Sequence, residues 1–383
     1  MYSILDYGHM IADEIRMKAY SEALKQTVRP GSVVLDVGTG TGVFAILACK
    51  LGASRVYAVE PGSAIQVARE LASANGFADR IRFFEAPMEE VELSERVDVL
   101  ISDMRGVLPF AGTQLRVVAE ARDRFLKPGG TMIPLRDEIW AAPIEAPDLY
   151  RRNVESWVEN RWGVDMAPAR KLVVNSPWSA SSIRPALLGD PLRVGMLDYH
   201  DLRDPSLRSQ VRWPITHPGT AHAFLLWFKA TLAEGIEFST GPDGEELVYG
   251  RICLPLAQPV EVAEGDGCDL TLGARLVGDD YIFTWDSVFS DREVRRTKRA
   301  CFSQSSFMGN PLSKAALSTR APSRAPGLNL RGRVDRTALG LMAEGMTLEN
   351  IARRLSKKYP DRFPTTQEAL IRVSVLSATY GCP

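Results

Sequence analysis

Apolar positions along the first third of the chain switch repeatedly between helical and strand spacing. Met10 to Thr27 places Met10, Ile11, Ile15, Ala19 and Leu24 at helical intervals. Val33 to Val37 is a short β-branched run, and Gly42 to Leu51 is apolar and helical. The alternation continues with a strand at Arg55–Val59, a helix at Ser63–Asn75, strands at Arg80–Phe84 and Val97–Ser102, and a helix at Thr113–Phe125. Lys127-Pro-Gly-Gly130 reads as a turn before a strand from Thr131 to Pro134. This alternation predicts an α/β domain over residues 1–135, with a doubly wound, Rossmann-like parallel sheet covered by helices on both faces.

The texture changes after Pro134. Ile139–Ile144, Ala223–Ala230, Arg251–Pro255 and Leu270–Leu276 are strand-like and separated by Gly, Pro and Asp. Helical periodicity is scarce apart from Leu149–Trp157. Residues 136–290 therefore read as an antiparallel β-barrel domain, and the Ser-, Pro- and Ala-rich stretch 167–191 as an excursion from it.

Charge separates the next segment. Residues 291–333 hold ten basic and two acidic side chains and include Ala321-Pro-Ser-Arg-Ala-Pro326, the composition of a basic linker. Residues 334–383 then read as a small helical module. Gly345 stops one helix, Thr347 caps the next from Leu348 to Tyr359, and Gln367–Tyr380 carries Leu370, Val373, Leu376 and Tyr380 on one face.

Composition narrows the function classes. The 383 residues are 45% hydrophobic and 24% charged with a net charge of −1, an ordinary globular balance that speaks against a general nucleic-acid binder. No apolar run is long enough for a membrane span, and Met1–Arg16 has no apolar signal core. Five scattered cysteines (Cys49, Cys253, Cys268, Cys301 and Cys382) form no CxxC pair, and four histidines show no metal spacing. The expectation is a reducing, cytoplasmic protein without bound metal or disulfides.

The most informative stretch is Val33-Val-Leu-Asp-Val-Gly-Thr-Gly-Thr-Gly42, a strand running through a glycine turn into a helix. Gly38 and Gly40 allow a tight turn and close approach to a ligand. Dinucleotide, phosphate and adenosyl cofactors all use such a turn, and the missing Gly-Lys-Ser/Thr excludes a P-loop. Asp36 precedes the glycines, where a carboxylate suits a zwitterionic amino-acid group better than a pyrophosphate. Glu60 ends the second strand, where an acid accepts both ribose hydroxyls. Together they favour S-adenosyl-L-methionine over NAD.

Here the chain resembles class I methyltransferases, and more narrowly the protein arginine methyltransferases. The resemblance rests on Met10, Asp13-Glu-Ile-Arg16, the glycine stretch, Glu60, Met88-Glu-Glu-Val-Glu92, Ser102-Asp103, Phe125-Leu-Lys-Pro-Gly-Gly130 and Ile133-Pro134. It implies that Arg16 pairs with the cofactor's carboxylate, Asp36, Gly38 and Gly40 meet its methionine part, and Glu60 holds the ribose. Met88 and Glu89 would meet the adenine, and Met10 would lie near the sulfonium. It also implies that residues 167–191 form a dimerisation arm, giving a homodimer.

The acceptor side departs from that family. Its substrate loop carries two glutamates, which suit a permanently charged guanidinium. The loop here is Ser102-Asp-Met-Arg-Gly-Val-Leu-Pro-Phe-Ala-Gly112. Asp103 stands at the first position, Gly112 at the second, and Arg105 adds a positive charge. The family's Thr-His-Trp loop is replaced near Leu247-Val-Tyr249. Asp103 and His9 are the candidate catalytic side chains, with Asp103 as a carboxylate and His9 as a base near neutral pH. The expected enzyme methylates a peptide, protein or small molecule that is not generic arginine. Alternatives are a true arginine methyltransferase whose clamp is rebuilt by a barrel acid such as Asp286, or a cofactor-binding scaffold without turnover. The C-terminal module resembles winged-helix modules of the PqqD type, which hold peptides. Its rivals are a DNA-binding helix-turn-helix, with Arg353, Arg354, Lys357 and Lys358 on one helix, and a packing module.

Overall fold

Asp13 divides the expected N-terminal helix in two. In the computed structural model, which describes residues 2–159, 162–181, 183–292 and 298–381, α1 spans Ile4–Ala12 and α2 spans Glu14–Thr27. Asp13 is extended between them, and its carboxylate accepts from the Arg16 N–H, capping α2. The other carboxylate oxygen accepts from the Val248 N–H, which ties this break to the β-domain.

The parallel sheet follows the sequence pattern closely. Strands β1 (Val33–Val37), β2 (Arg55–Val59), β3 (Ile81–Phe84), β4 (Val97–Ser102) and β5 (Leu126–Ile133) lie in the order β3-β2-β1-β4-β5. Helices α3 (Val43–Lys50), α4 (Ala64–Ala74) and α5 (Gln114–Phe125) connect them. β5 begins earlier than expected, because Lys127-Pro-Gly-Gly130 continues beside β4 through a register shift. α2 buries Arg16, Ala19, Tyr20, Ala23 and Leu24, one stripe at helical spacing.

The second domain is not a closed barrel. β6 (Arg136–Glu145), β7 (Trp178–Ser179), β8 (Ala186–Leu187), β9 (Leu192–Asp198), β11 (Gly219–Ala233), β12 (Ile236–Ser239) and β13 (Ile252–Val262) make one antiparallel sheet. β10 (Leu207–Pro214), β14 (Gly267–Val277), β15 (Asp280–Ser290) and β16 (Lys298–Ser305) make another. β11 shows why two open sheets form. Its Phe224, Leu226 and Phe228 face the large core shared with the other sheet and the cofactor-type domain, while Ala223, Leu225 and Trp227 face a second core. A strand apolar on both faces needs a cover on each side.

That second core anchors the excursion 167–191. α6 (Pro147–Val154) and α7 (Ala167–Val173) supply the cover, with Tyr150, Val154, Val174 and Trp178 buried within the same chain. β7 pairs with β13, and β8 with β6. Residues 167–191 are therefore rooted in their own domain through these contacts. The exposed apolar side chains Trp157, Val158, Trp162 and Val164 lie just before them.

The basic stretch 291–333 is also not all linker. Lys298–Ser305 is β16, because Ala300, Phe302 and Gln304 alternate inward against β15. Residues 293–297 and Cys382 fall outside the described residues.

The chain divides into two units, Met1–Pro311 and Leu312–Pro383. The second contains α8 (Lys314–Thr319), α9 (Leu330–Ala343), α10 (Leu348–Lys358) and α11 (Thr366–Tyr380). α9 already begins inside the expected linker. Val334, Ala338, Ile351, Leu355, Val373 and Leu376 form its own core, whereas Tyr380 is exposed. No strand occurs among its described residues, so the module is helical without a wing. Only seven residues, including Pro360 and Pro364, join α10 to α11, too few for a hairpin beside them.

Candidate active site

The chain leaves β1 toward β2 and β3, then returns to place β4 on the other side of β1. Such a reversal opens a crevice at the carboxyl ends of the two central strands, the usual ligand position in these sheets. The glycine loop after β1 and the Asp103 loop after β4 both end there.

Gly38 and Gly40 have φ of +74° and +53°, and both are crowded. A Cβ on Gly38 would meet the Met104 side chain at 2.6 Å, and one on Gly40 would meet Tyr7 Cε1 at 2.5 Å. Glycine at these positions thus satisfies both the left-handed backbone and the close packing. Glu60 is held at the end of β2 by two amides: Gly40 N–H donates to Oε2 at 3.2 Å and Gly62 N–H to Oε1 at 2.8 Å. Asp36 is buried and accepts the Thr39 hydroxyl at 2.6 Å. Burial raises its pKa to about 7, against the lowering by Thr39 and the Ala45 amide, and the charges of Glu60 and Asp103 add to the rise.

Asp103 is the centre of a buried network joining three parts of the chain. Its Oδ1 accepts from the Tyr20 hydroxyl at 2.8 Å, the Tyr249 hydroxyl at 2.7 Å and Arg105 Nη1 at 2.9 Å. Its Oδ2 takes Arg16 Nε at 2.7 Å and Arg16 Nη2 at 2.6 Å. Arg16 and Tyr20 stand one turn apart on α2, which is how one helix face delivers both. Arg105 continues to Asp137 at the start of β6, with Nε on Oδ2 at 2.8 Å and Nη2 on Oδ1 at 2.9 Å. Tyr199, just after β9, donates to Asp137 Oδ2 at 2.7 Å. Burial opposes the charge on Arg16 and Arg105, but Asp103 and Asp137 respectively hold each pKa above the ordinary arginine value.

The other candidates sit as follows. Met10 lies on α1, and its carbonyl accepts from Arg16 Nη1 at 2.9 Å. Arg16 thus donates to Asp103, the Met10 carbonyl and, at 3.2 Å, the Tyr249 hydroxyl, and its guanidinium carbon lies 5.1 Å from the Phe44 ring centroid. Met88 is buried in a single 3-10 turn, with its carbonyl on Arg124 Nη1, and Glu89 beside it is exposed. His9 is exposed in the last turn of α1 and is not drawn into the Asp103 network. Asp286 is exposed on β15 between the buried Trp285 and Ser287, so the alternation of the strand aims it away from the core that holds Asp103. It does not rebuild a clamp. Arg105 is not a free cation either, since it is paired with two carboxylates. His222 is a core histidine whose Nδ1 accepts the Ala146 N–H.

Sequence reasoning missed Tyr20, Asp137 and Tyr199. Tyr20 carried a signal, being in phase with Ala19, Ala23 and Leu24 on the buried stripe. Asp137 and Tyr199 carried none, because pairing across 32 and 62 residues is decided by the packing of β6 and β9.

An acid closing β1, a crowded glycine turn and an amide-held acid closing β2, all at the reversal of a parallel sheet, define a class I S-adenosylmethionine-dependent methyltransferase. The match of residues 19–134 to the ribosomal protein L11 methyltransferase (PrmA) family model agrees, and residues 136–276 match the arginine methyltransferase oligomerization subdomain. Protein arginine N-methyltransferase 6 of Xenopus tropicalis is 31% identical over 310 residues, covering 76% of this chain and 91% of that protein. Protein arginine N-methyltransferase PRMT10 of Oryza sativa subsp. japonica is 33% identical over 297 residues, covering 67% and 77%. The crystal structure of Arabidopsis thaliana protein arginine methyltransferase 10 superposes with a TM-score of 0.69 at 25% identity, covering 78% of this chain and 96% of that one. The Trypanosoma brucei PRMT1 enzyme-prozyme heterotetrameric complex with AdoHcy shares the fold, with a TM-score of 0.72 at 22% identity over 80% and 98%.

The chain belongs to the protein arginine N-methyltransferase family. It is a methyltransferase, and its cofactor is S-adenosylmethionine. The residues present fit that group. Glu60 is pre-oriented by two amides, and Ser102 Oγ at the end of β4 is a buried hydroxyl without a partner among the described residues. When bound, S-adenosylmethionine supplies a methyl group already activated on a sulfonium.

Proposed function

We propose that this enzyme methylates a neutral or weakly basic nitrogen or oxygen on a peptide, protein or small molecule, and not a generic arginine guanidinium. One observation carries the reading: Asp103 is saturated. A carboxylate offers about four lone-pair positions, and five N–H or O–H groups from Arg16, Arg105, Tyr20 and Tyr249 already point at it. The second clamp position is Gly112, without a carboxylate. A guanidinium brought to Asp103 finds it already filled, and an unpaired buried charge costs several kcal/mol.

In this reading Glu60 holds the ribose, and Asp36 with Gly38 and Gly40 positions the methionine part. Met88 and Glu89 flank the adenine, and Met10 lies by the sulfonium. Arg16 trades one of its present contacts for the cofactor's carboxylate. Asp103 orients the acceptor through its tyrosine and arginine partners, and Tyr7 over Gly40 helps exclude water. The protein's contribution is alignment and desolvation. The proton lost by the acceptor passes to solvent, with His9, exposed on α1, as the candidate base.

The relatives' names keep arginine as the competing acceptor. The test incubates enzyme with labelled cofactor and arginine-rich peptides, hydrolyses the product and looks for methylarginines. Robust methylarginine formation ends the proposal, and transfer to other acceptors in an extract supports it.

Two further parts of the reading concern partners. Trp157, Val158, Trp162 and Val164 are exposed beside the excursion and form the contact of a homodimer. The C-terminal unit holds a peptide at a cavity of about 600 Å³ lined by Arg331, Arg362, Arg372 and Asp335 over Val334 and Phe363. Its excess of arginine selects an acidic segment. Loss of acidic-peptide binding on truncation after Pro311 tests this.

A further inference from the structure

Arg105 sits in a box that has the chemistry of a guanidinium receptor. Its Nε and Nη2 form a two-pronged pair with Asp137, and Nη1 reaches Asp103 and the Tyr20 hydroxyl. Its guanidinium carbon lies 5.6 Å from the Phe228 ring centroid and 6.0 Å from that of Phe238. Planar fork, paired carboxylates and aromatic faces are what recognise an arginine from outside. Here the arginine comes from the substrate loop itself, two residues from the acid that carries the family's first clamp position.

We propose that Arg105 is an internal stand-in for an arginine acceptor, and that its occupation of the Asp103–Asp137 box is what sets acceptor specificity against guanidinium groups. This rests on the acceptor reading above and supplies its cause. Arg16 and Arg105 balance Asp103 and Asp137, so the buried network is neutral as it stands. One more cation would be unmatched, whereas a neutral acceptor disturbs nothing. Asp137 has no exposed surface and also accepts Tyr199, so the box is rigid on its far side.

The alternative cause of exclusion is Gly112, the absent second carboxylate, and the experiment separates the two. The variant R105M removes the internal guanidinium and leaves both carboxylates of the box, so the network carries one uncompensated negative charge with acceptor positions free on Asp103 and Asp137. Binding of an arginine-containing peptide to full-length protein is measured by calorimetry, and methylarginine by labelled transfer. The expected result is at least about tenfold tighter peptide binding than wild type, with methylarginine formed only by the variant. A folded variant that refuses arginine as wild type does overturns the proposal and leaves Gly112 as the cause. Methylarginine made by the wild type instead overturns the acceptor reading itself.

A measurement on the wild type stands independently of how the variant folds. The Arg105 Nε–H resonance, assigned by its loss in R105K, is expected to persist unmoved when an arginine peptide is added to saturation. A shift or loss of that resonance on adding the peptide means that an external guanidinium competes for the box, and overturns the proposal.

Discussion

The Tyr249 hydroxyl stands 2.7 Å from each carboxylate oxygen of Asp103, across 146 residues of sequence. One phenol from the loop before β13 thereby closes a network begun on α2 and the end of β4. Burial and the Asp103 charge push its pKa well above the ordinary tyrosine value, although Arg16 and Arg105 act the other way, so it remains a hydrogen-bond donor throughout the working pH range. Tyr249→Phe is expected to lose about 1.5–3 kcal/mol of stability, the range for a hydrogen bond to a charged group. Denaturant unfolding of Tyr249→Phe, Asp103→Asn and the double variant checks this. If the two losses simply add, the pair is not coupled.

Glu60→Ala is expected to weaken S-adenosylmethionine binding by about 1–3 kcal/mol, through loss of charge-assisted bonds to the ribose. Because Glu60 also ties Gly40 to Gly62, Glu60→Gln is the companion variant, keeping one acceptor oxygen. Calorimetry on folded protein reads both. Unchanged affinity in Glu60→Ala removes this residue from the site.

Asp36 makes stability fall as pH rises. Its pKa is raised to about 7 in the folded chain from 3.8, so the folded state binds the proton more tightly. The neutral form's advantage is full below pH 4 and is lost as pH climbs through about 7. Asp36→Asn is expected to remove this slope and to gain stability relative to wild type between pH 5 and 8, by at most about 4 kcal/mol. Urea midpoints across that window test it, and parallel curves for the two proteins would count against a protonated Asp36.

Trp162 is 83% exposed, with Trp157, Val158 and Val164 exposed nearby. Such a patch on a folded surface marks a contact. Trp162→Ser is expected to convert a dimer into a monomer at micromolar concentration by light scattering, without a change in secondary structure. A monomeric wild type would dispose of the interface.

The glycine turn and its flanking acids were legible as a candidate site because their signals are local. Strand, glycine turn and helix follow one another within Val33–Lys50, and Glu60 comes at the end of the next strand. The acceptor side was less so. Arg105 reads in sequence as a repulsive charge and Asp286 as a spare acid. Their partners decide otherwise, since Arg105 finds Asp137 on another domain and Asp286 finds solvent.

What the sequence by itself determined is the order of strands and helices, the cofactor turn and the change of texture at Pro134, all set by short-range periodicity and backbone chemistry. Only the tertiary structure decided three things. β11 is apolar on both faces, so α6, α7 and Trp178 cover the second domain from within the chain and no barrel closes. Asp13 must cap α2 and also meet Val248, so the N-terminal helix breaks. Asp103 is filled by side chains from α2, its own loop and the β-domain, because buried charges must be matched where they meet, and that depends on contacts between residues far apart in the chain.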